Sequence, residues 1–259
     1  SGFVNAILRN FIRDNKKIIL PNDKIKALSI EYSCNEKIVQ MLLDDYGEML
    51  AIDLLSSSLG THTSFIRVNN TKITSDELVN RFAEIGIVAN KHYAVADCLV
   101  IDKLGAVEKN NLFIDGLFHI QDLSSQLCCL ALNPQKNDKI LDICSAPGGK
   151  AFTITEMMND KGMIYACDLH QKRVNIIENG AKRLELSSIN ALQNDAKIFN
   201  NQFPKFNKVL CDVPCSGFGV VRSKPEIKYK NIDEIASLPE IQYSILKMSS
   251  KYLEIGGEL

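Results

Sequence analysis

Asp-Lys-Ile-Leu-Asp-Ile-Cys-Ser-Ala-Pro-Gly-Gly-Lys, residues 138–150, is the stretch whose reading decides the fold. Ile140, Leu141 and Ile143 form a short, nearly continuous apolar run, the pattern of a strand buried on both faces of a parallel sheet. Pro147, Gly148 and Gly149 turn the chain, and the spacing of Phe152, Ile154, Met157 and Met158 predicts a helix from Lys150 onward. Strand, glycine-rich turn and helix make the nucleotide-binding unit of a doubly wound sheet, in which backbone approaches a ligand wherever no Cβ intervenes.

A phosphate-binding reading of the turn fails. A P-loop would need glycine at 144 and Ser or Thr at 151, where this chain has Cys144 and Ala151. A dinucleotide fingerprint read from 144 finds Cys144, Ala146 and Gly149, so only the last place is glycine. What remains is an acid at the strand end, Asp142, followed by small residues. That arrangement suits a ligand with a cationic amino acid end and a nucleoside end, as in S-adenosylmethionine.

The following elements extend the pattern. Met163–Asp168 predicts a second strand ending in an acid, where a ribose diol is accepted in this fold type. A helix over Gln171–Leu184, a weak strand at Ile189–Leu192 with Asp195 just beyond, and a strand at Lys208–Asp212 follow. Four strands thus carry an acid at or near each C-terminal end. Each acid alone could cap a helix or sit in a solvated turn, Asp195 most of all. Four in register point to a nucleoside site.

Asp-Ile-Cys-Ser-Ala-Pro-Gly-Gly-Lys (142–150), Asp168, Asp195, Asp-Val-Pro-Cys-Ser-Gly (212–217) and Arg-Ser-Lys-Pro-Glu-Ile-Lys (222–228) resemble the RsmB (Sun/Fmu) family of bacterial 16S rRNA (cytosine-5) methyltransferases. The resemblance covers essentially the whole chain. It implies an α/β fold: a Rossmann-like S-adenosylmethionine-dependent core over 116–259, preceded by a helical segment over 1–60 and a small RRM-like α+β module over 61–115. It also implies a cofactor site formed by Cys144, Ser145, Ala146, Pro147, Gly148, Gly149, Lys150, Asp168, Arg173, Asp195 and Asp212. Cys215, Asp212 and Lys150 are the expected catalytic residues, and small-subunit rRNA the expected partner.

Composition sets outer bounds. The 259 residues, 46% hydrophobic, can bury a sizeable core, and a formal charge of −1 gives no global field for nucleic acid. Basic footprints must be local. Residues 1–30 hold six Lys or Arg against two Asp, and residues 205–230 hold six against two acids. The first reads equally as a solvated helix face or an RNA-phosphate contact; the second, flanking the Cys215 turn, favours RNA backbone. Of eight cysteines, six (Cys98, Cys128, Cys129, Cys144, Cys167, Cys211) sit in or beside apolar segments, as buried thiols of a reduced protein do. The start lacks a signal-peptide pattern and no stretch reaches the ~18 apolar residues of a membrane span, so a cytoplasmic protein without membrane contact is expected. Cys211 and Cys215 lack zinc-ligand spacing, so no metal is expected, and a monomer is favoured.

Apolar residues at 3, 4, 7, 8, 11 and 12 predict a first helix, which resembles the last helix of the NusB-like domain preceding the catalytic part in the family. Helices over 35–45 and 47–59, with Ile38, Met41, Leu42, Met49, Ile52 and Leu55 inward, precede a break at 60–63. In the small module, 65–68 and 98–101 predict strands and 75–85 a helix that Ser75 can cap. Phe65 is expected to pack in the core rather than stack a base. Asp122 or Ser124 can cap the helix beginning at Leu123.

The chemistry dictates what such a site needs. Cytosine C5 is a poor nucleophile, so a thiolate adds to C6, C5 becomes enamine-like and takes the methyl, and the C5 proton then leaves as the thiol is expelled. The base must be unstacked, with a group hydrogen-bonding N3 and N4. Cys215 and Asp212 are placed for these roles, Pro214 stiffens the approach, and Lys150 is close to both ligands or is a solvated lysine. Arg173 either pairs with an acid on its helix or supports the cofactor's nucleoside end. In the family the nucleophile is a second cysteine, in a Thr-Cys pair on the next strand, and the Pro-Cys thiol aids product release. These residues contain no Thr-Cys pair and stop at Gly256-Gly257-Glu258-Leu259, so by that analogy they would bind cofactor without turnover. The competing expectation is a non-catalytic RNA-binding module with a vestigial cofactor pocket, and a DNA methyltransferase stands third.

Overall fold

The computed structural model describes residues 2–14, 18–60 and 63–259. Its helices and strands run α1 (Gly2–Arg13), α2 (Lys24–Glu31), α3 (Glu36–Ser57), β1 (Ser64–Val68), α4 (Ser75–Glu84), β2 (Ala89–Lys91), β3 (Cys98–Ile101), α5 (Asn111–Ile114), β4 (Phe118–Ile120), α6 (Leu123–Leu132) and β5 (Lys139–Asp142). There follow α7 (Gly149–Met157), β6 (Met163–Asp168), α8 (Gln171–Leu184), β7 (Ile189–Gln193), β8 (Phe206–Leu210), α9 (Ile232–Ala236), α10 (Leu238–Ser249) and β9 (Leu253–Glu258). They form two compact units. One joins the residues up to 62 with Ser216–Ala236, the other Thr63–Cys215 with Ser237–Leu259.

In the first unit α1 carries its apolar residues on the surface, with Phe3 75% exposed. Lys16 and Lys17 of the N-terminal basic patch lie outside the described residues, as do residues 61 and 62 of the expected break. Asp23 and Asn35 cap α2 and α3, each accepting a backbone N–H. Gly47, at φ +73°, breaks α3 where two helices were expected to meet. Ile38 and Leu55 pack inward with Leu28 and Val39, but Met49, expected on that stripe, is 81% exposed because the break re-aims the second half.

The second unit contains both sheets. The smaller is antiparallel in the order β2-β3-β1-β4, and β4 carries it past residue 115, through Ile120. Ile66, Leu78, Phe82, Leu99 and Phe118 form its core, each worth roughly 1.5–3 kcal/mol of burial. Phe65 is not among them: side chains alternate along a strand, so Ile66 and Val68 face inward while Phe65 is half-buried, edge-on to His92 at 6.2 Å. Thr74, rather than Ser75, caps α4, in a reciprocal pair with Glu77.

The larger sheet is wholly parallel, β7-β6-β5-β8-β9. Its first strand, β5, lies at the centre, with two strands added on one side and two on the other. Strand order therefore reverses between β5 and β8, the place where ligands bind in doubly wound sheets, outside the strands' carboxyl ends. Ile140, Leu141, Ile164, Cys167 and Phe206 are fully buried, as the continuous apolar runs require. No described helix is long and apolar enough to cross a membrane.

Candidate active site

The four acids fall on one edge of the large sheet. Asp142 and Asp168 are the last residues of β5 and β6, and Asp195 and Asp212 stand two residues past the ends of β7 and β8. Parallel register keeps these ends level: Asp142 pairs with Leu210 on one side and Ala166 on the other.

Asp142 is not at the surface, however. It is 1% exposed, and burial, aided by the charge of Asp212, pushes its carboxyl up to about 7 although Ser145 and the Cys144 amide favour the charged form. Neither of its oxygens completes a hydrogen bond, nor does the buried Ser145 hydroxyl. Unsatisfied acceptors under the turn are the chemistry that a cationic ligand group relieves.

The turn 144–150 is built tightly. Ser145 N–H donates to Cys167 O at 2.7 Å and Gly148 N–H to Ser145 O at 2.8 Å, while Pro147, after a cis peptide bond, projects outward. Gly148 adopts φ +106°, and a Cβ there would stand 2.4 Å from the Phe152 ring. Its missing side chain thus makes room for the Phe152 ring. A cleft of about 420 Å³ opens beside Pro147 and Gly149, lined by Phe152, Gly180 and Arg183, but none of the four acids reaches it. The Cys144 thiol is pushed up to about 12 by burial and the neighbouring acids.

Arg173, open between two readings, pairs among the described residues with no acid on its own helix. Its Nη1 lies 3.2 Å from Asp168 Oδ2 and its Nη2 donates to Ala146 O at 2.8 Å, so it ties the turn to the acid at the end of β6. Asp168 also accepts from His170 N–H. Asp195 accepts from Lys197 N–H in a local turn at 2.9 Å.

Lys150 is the residue that joins the two halves of the site. Its Nζ lies 2.6 Å from Asp212 Oδ2, with 18% of its side chain exposed, so it is no solvated lysine. Burial works against its charge, but the hydrogen bond and charge of Asp212, with Asp142 behind, raise its pKa overall. Cys215 is exposed in the turn beyond Asp212. Sequence reasoning missed two neighbours. Cys128 on α6 is half-buried, its thiol raised by burial and acted on by Lys150, Asp212 and Asp142. Gln242 on α10 donates to Pro214 O at 2.8 Å. The apolar spacing of Leu238, Ile241, Ile245 and Met248 would have revealed α10, though not its partner.

The basic residues of 205–230 are largely engaged. Arg222 donates to Ser57 O, Lys228 is 7% exposed with its Nζ on Tyr32 O, Lys230 donates to Ser216 O, and Lys208 pairs with Glu258. The stretch therefore offers RNA less free charge than its composition suggests. All eight cysteines are free thiols, and Cys34, outside the expected six, is also buried. Among the described residues no group of three His, Cys, Asp or Glu gathers as a metal site.

Residues 129–259 match the family model described as 16S rRNA methyltransferase RsmB/F, and residues 36–108 match an RsmF/B-like, ferredoxin-like domain. The chain is 36% identical over 263 residues to the probable ribosomal RNA small subunit methyltransferase B of Bacillus subtilis, a match covering 100% of this chain and 59% of that protein. It thus spans about three fifths of that relative's length. Among solved structures, NSun6 from Pyrococcus horikoshii with SFG gives a TM-score of 0.79 at 19% identity, over 86% of this chain and 81% of that one. A methyltransferase homolog protein from the same organism gives 0.77 at 22% identity, over 92% and 75%. At such identities the likeness speaks for the fold.

Proposed function

We propose, from the premise that this chain belongs to the 16S rRNA methyltransferase RsmB/F family, that it takes part in S-adenosylmethionine-dependent methylation of cytosine C5 in small-subunit rRNA. The observation that carries the reading is the Lys150–Asp212 pair at the switch point, between the turn 144–150 and the Pro-Cys turn. The cofactor would supply an electrophilic methyl group. Asp168, steadied by Arg173, would take its ribose hydroxyls, Asp195 its base, and Cys144 to Lys150 its amino acid end, over the unsatisfied Asp142 and Ser145.

On the RNA side, Asp212 would accept from the cytosine N4 amino group, with Lys150 keeping the carboxylate charged and aimed. A thiolate adds to C6, the C5 enamine takes the methyl, and loss of the C5 proton expels the thiolate. Cys215 serves this cycle as the thiol that aids release, the nucleophile being the cysteine of a Thr-Cys pair that these residues do not contain. In this reading 1–60 and 61–115 are accessory parts and 116–259 the methyltransferase core. The partner is RNA, and the setting cytoplasmic.

Calorimetric titration with S-adenosylhomocysteine tests the cofactor half. Binding heat that Asp168→Ala abolishes is expected. No heat, or heat indifferent to that substitution, would leave a non-catalytic RNA-binding module with a vestigial pocket.

A further inference from the structure

α10 touches the segment leading from β8 to Cys215 at two places. Gln242 Nε2 donates to the Pro214 carbonyl at 2.8 Å. Seven residues on, the fully buried Ser249 hydroxyl stands 3.6 Å from the Cys211 thiol. Between them Ile245 is buried in the core that holds Val209 and packs Val213. Residues 242, 245 and 249 share one face of a helix and span about 10 Å, since seven residues rise nearly two turns. Extended chain from Cys211 to Pro214 spans the same, about 10 Å. The helix face matches the segment in length and fastens it at both ends.

The Pro214 end matters more for chemistry. Its carbonyl belongs to the peptide that enters Cys215, and both residues are exposed, so little packing holds them. We propose that Gln242 is a positioning residue for Cys215: α10 acts as a splint along 211–214, and the Gln242 hydrogen bond fixes the direction from which the thiol meets the base. The proposal rests on the reading of Cys215 as a reacting thiol, and it adds a residue from outside the motifs that carry the site.

Gln242→Met keeps the stem and removes the donor, and Gln242→Lys returns one. Two readouts separate a positioning role from a merely structural one: site-resolved iodoacetamide alkylation of Cys215, which needs no turnover, and kcat against KM for methyl transfer by the full-length protein that carries the Thr-Cys strand. The methionine variant is expected to change the alkylation rate about threefold or more and to lower kcat roughly 3- to 10-fold, the scale of one modest hydrogen bond. KM for the methyl donor and the melting temperature should hold, and lysine should restore both rates. Wild-type alkylation and kcat in the methionine variant would overturn the proposal. So would a kcat loss that lysine leaves unrepaired, or one matched by falls in melting temperature and donor affinity. Full activity of Cys215→Ala would strike the reading of the thiol instead, and alkylation of the Gln242 variants would still decide the splint.

Discussion

Lys150 Nζ and Asp212 Oδ2 lie 2.6 Å apart across the point where the strand order of the parallel sheet reverses. One residue lies in the first turn of the helix after the glycine turn, and the other follows the strand that leads to Pro214 and Cys215. In the proposed site this ion pair would couple the donor side to the base side, and disrupting either partner should harm the base side first.

Asp212→Asn should lower kcat/KM for methyl transfer by at least about 100-fold, the range of a group acting directly on reacting atoms. Lys150→Met should cost less, about tenfold. S-adenosylhomocysteine affinity, measured by calorimetry, should fall by less than kcat/KM in Lys150→Met. A selective loss of cofactor affinity would move Lys150 to the donor side alone.

Cys215→Ala distinguishes the two thiol roles. If the thiol aids release, the variant of the full-length protein, which carries the Thr-Cys strand, should accumulate a covalent RNA–protein adduct, seen as a denaturant-resistant band. Were it the nucleophile, no adduct would form.

Asp142 sets a pH dependence. Its carboxyl moves from an unfolded value of 3.8 to about 7 in the folded chain, chiefly through burial. Between those values the folded state binds a proton that the unfolded state does not, so stability falls as pH rises from about 4 to 7 and levels off above. Asp142→Asn removes this slope. It should melt with the wild type near pH 4 and be more stable near pH 8, by at least about 1 kcal/mol. Parallel melting curves across that range would refute the assignment.

Gly148→Ala should destabilise the protein by about 1–3 kcal/mol, because the residue sits at φ +106° and the new Cβ would meet the Phe152 ring. Thermal melting checks it, and adding Phe152→Leu should recover part of the loss by relieving the clash.

Strand ends announced themselves in sequence because an apolar run that stops at an acid fixes where that acid lies along the sheet; Asp142, Asp168 and Asp212 were legible for that reason. Burial was not: the strand-end position of Asp142 gives no sign that the turn closes over it. Nor was the partner of Arg173, whose fork reaches the Ala146 carbonyl, 27 positions back in the chain. Lys228 read as free charge because composition cannot show that its ammonium lies against the Tyr32 carbonyl. Gln242 carried no signal at all: a side-chain amide in an amphipathic helix looks the same whether or not it holds a distant carbonyl.

The central claim is tested most directly by mapping 5-methylcytosine in small-subunit rRNA from cells with and without the gene. One methylated cytosine should vanish on deletion, return with the wild-type gene, and fail to return with Asp212→Asn. Unchanged cytosine methylation after deletion, or full return with Asp212→Asn, would contradict the account.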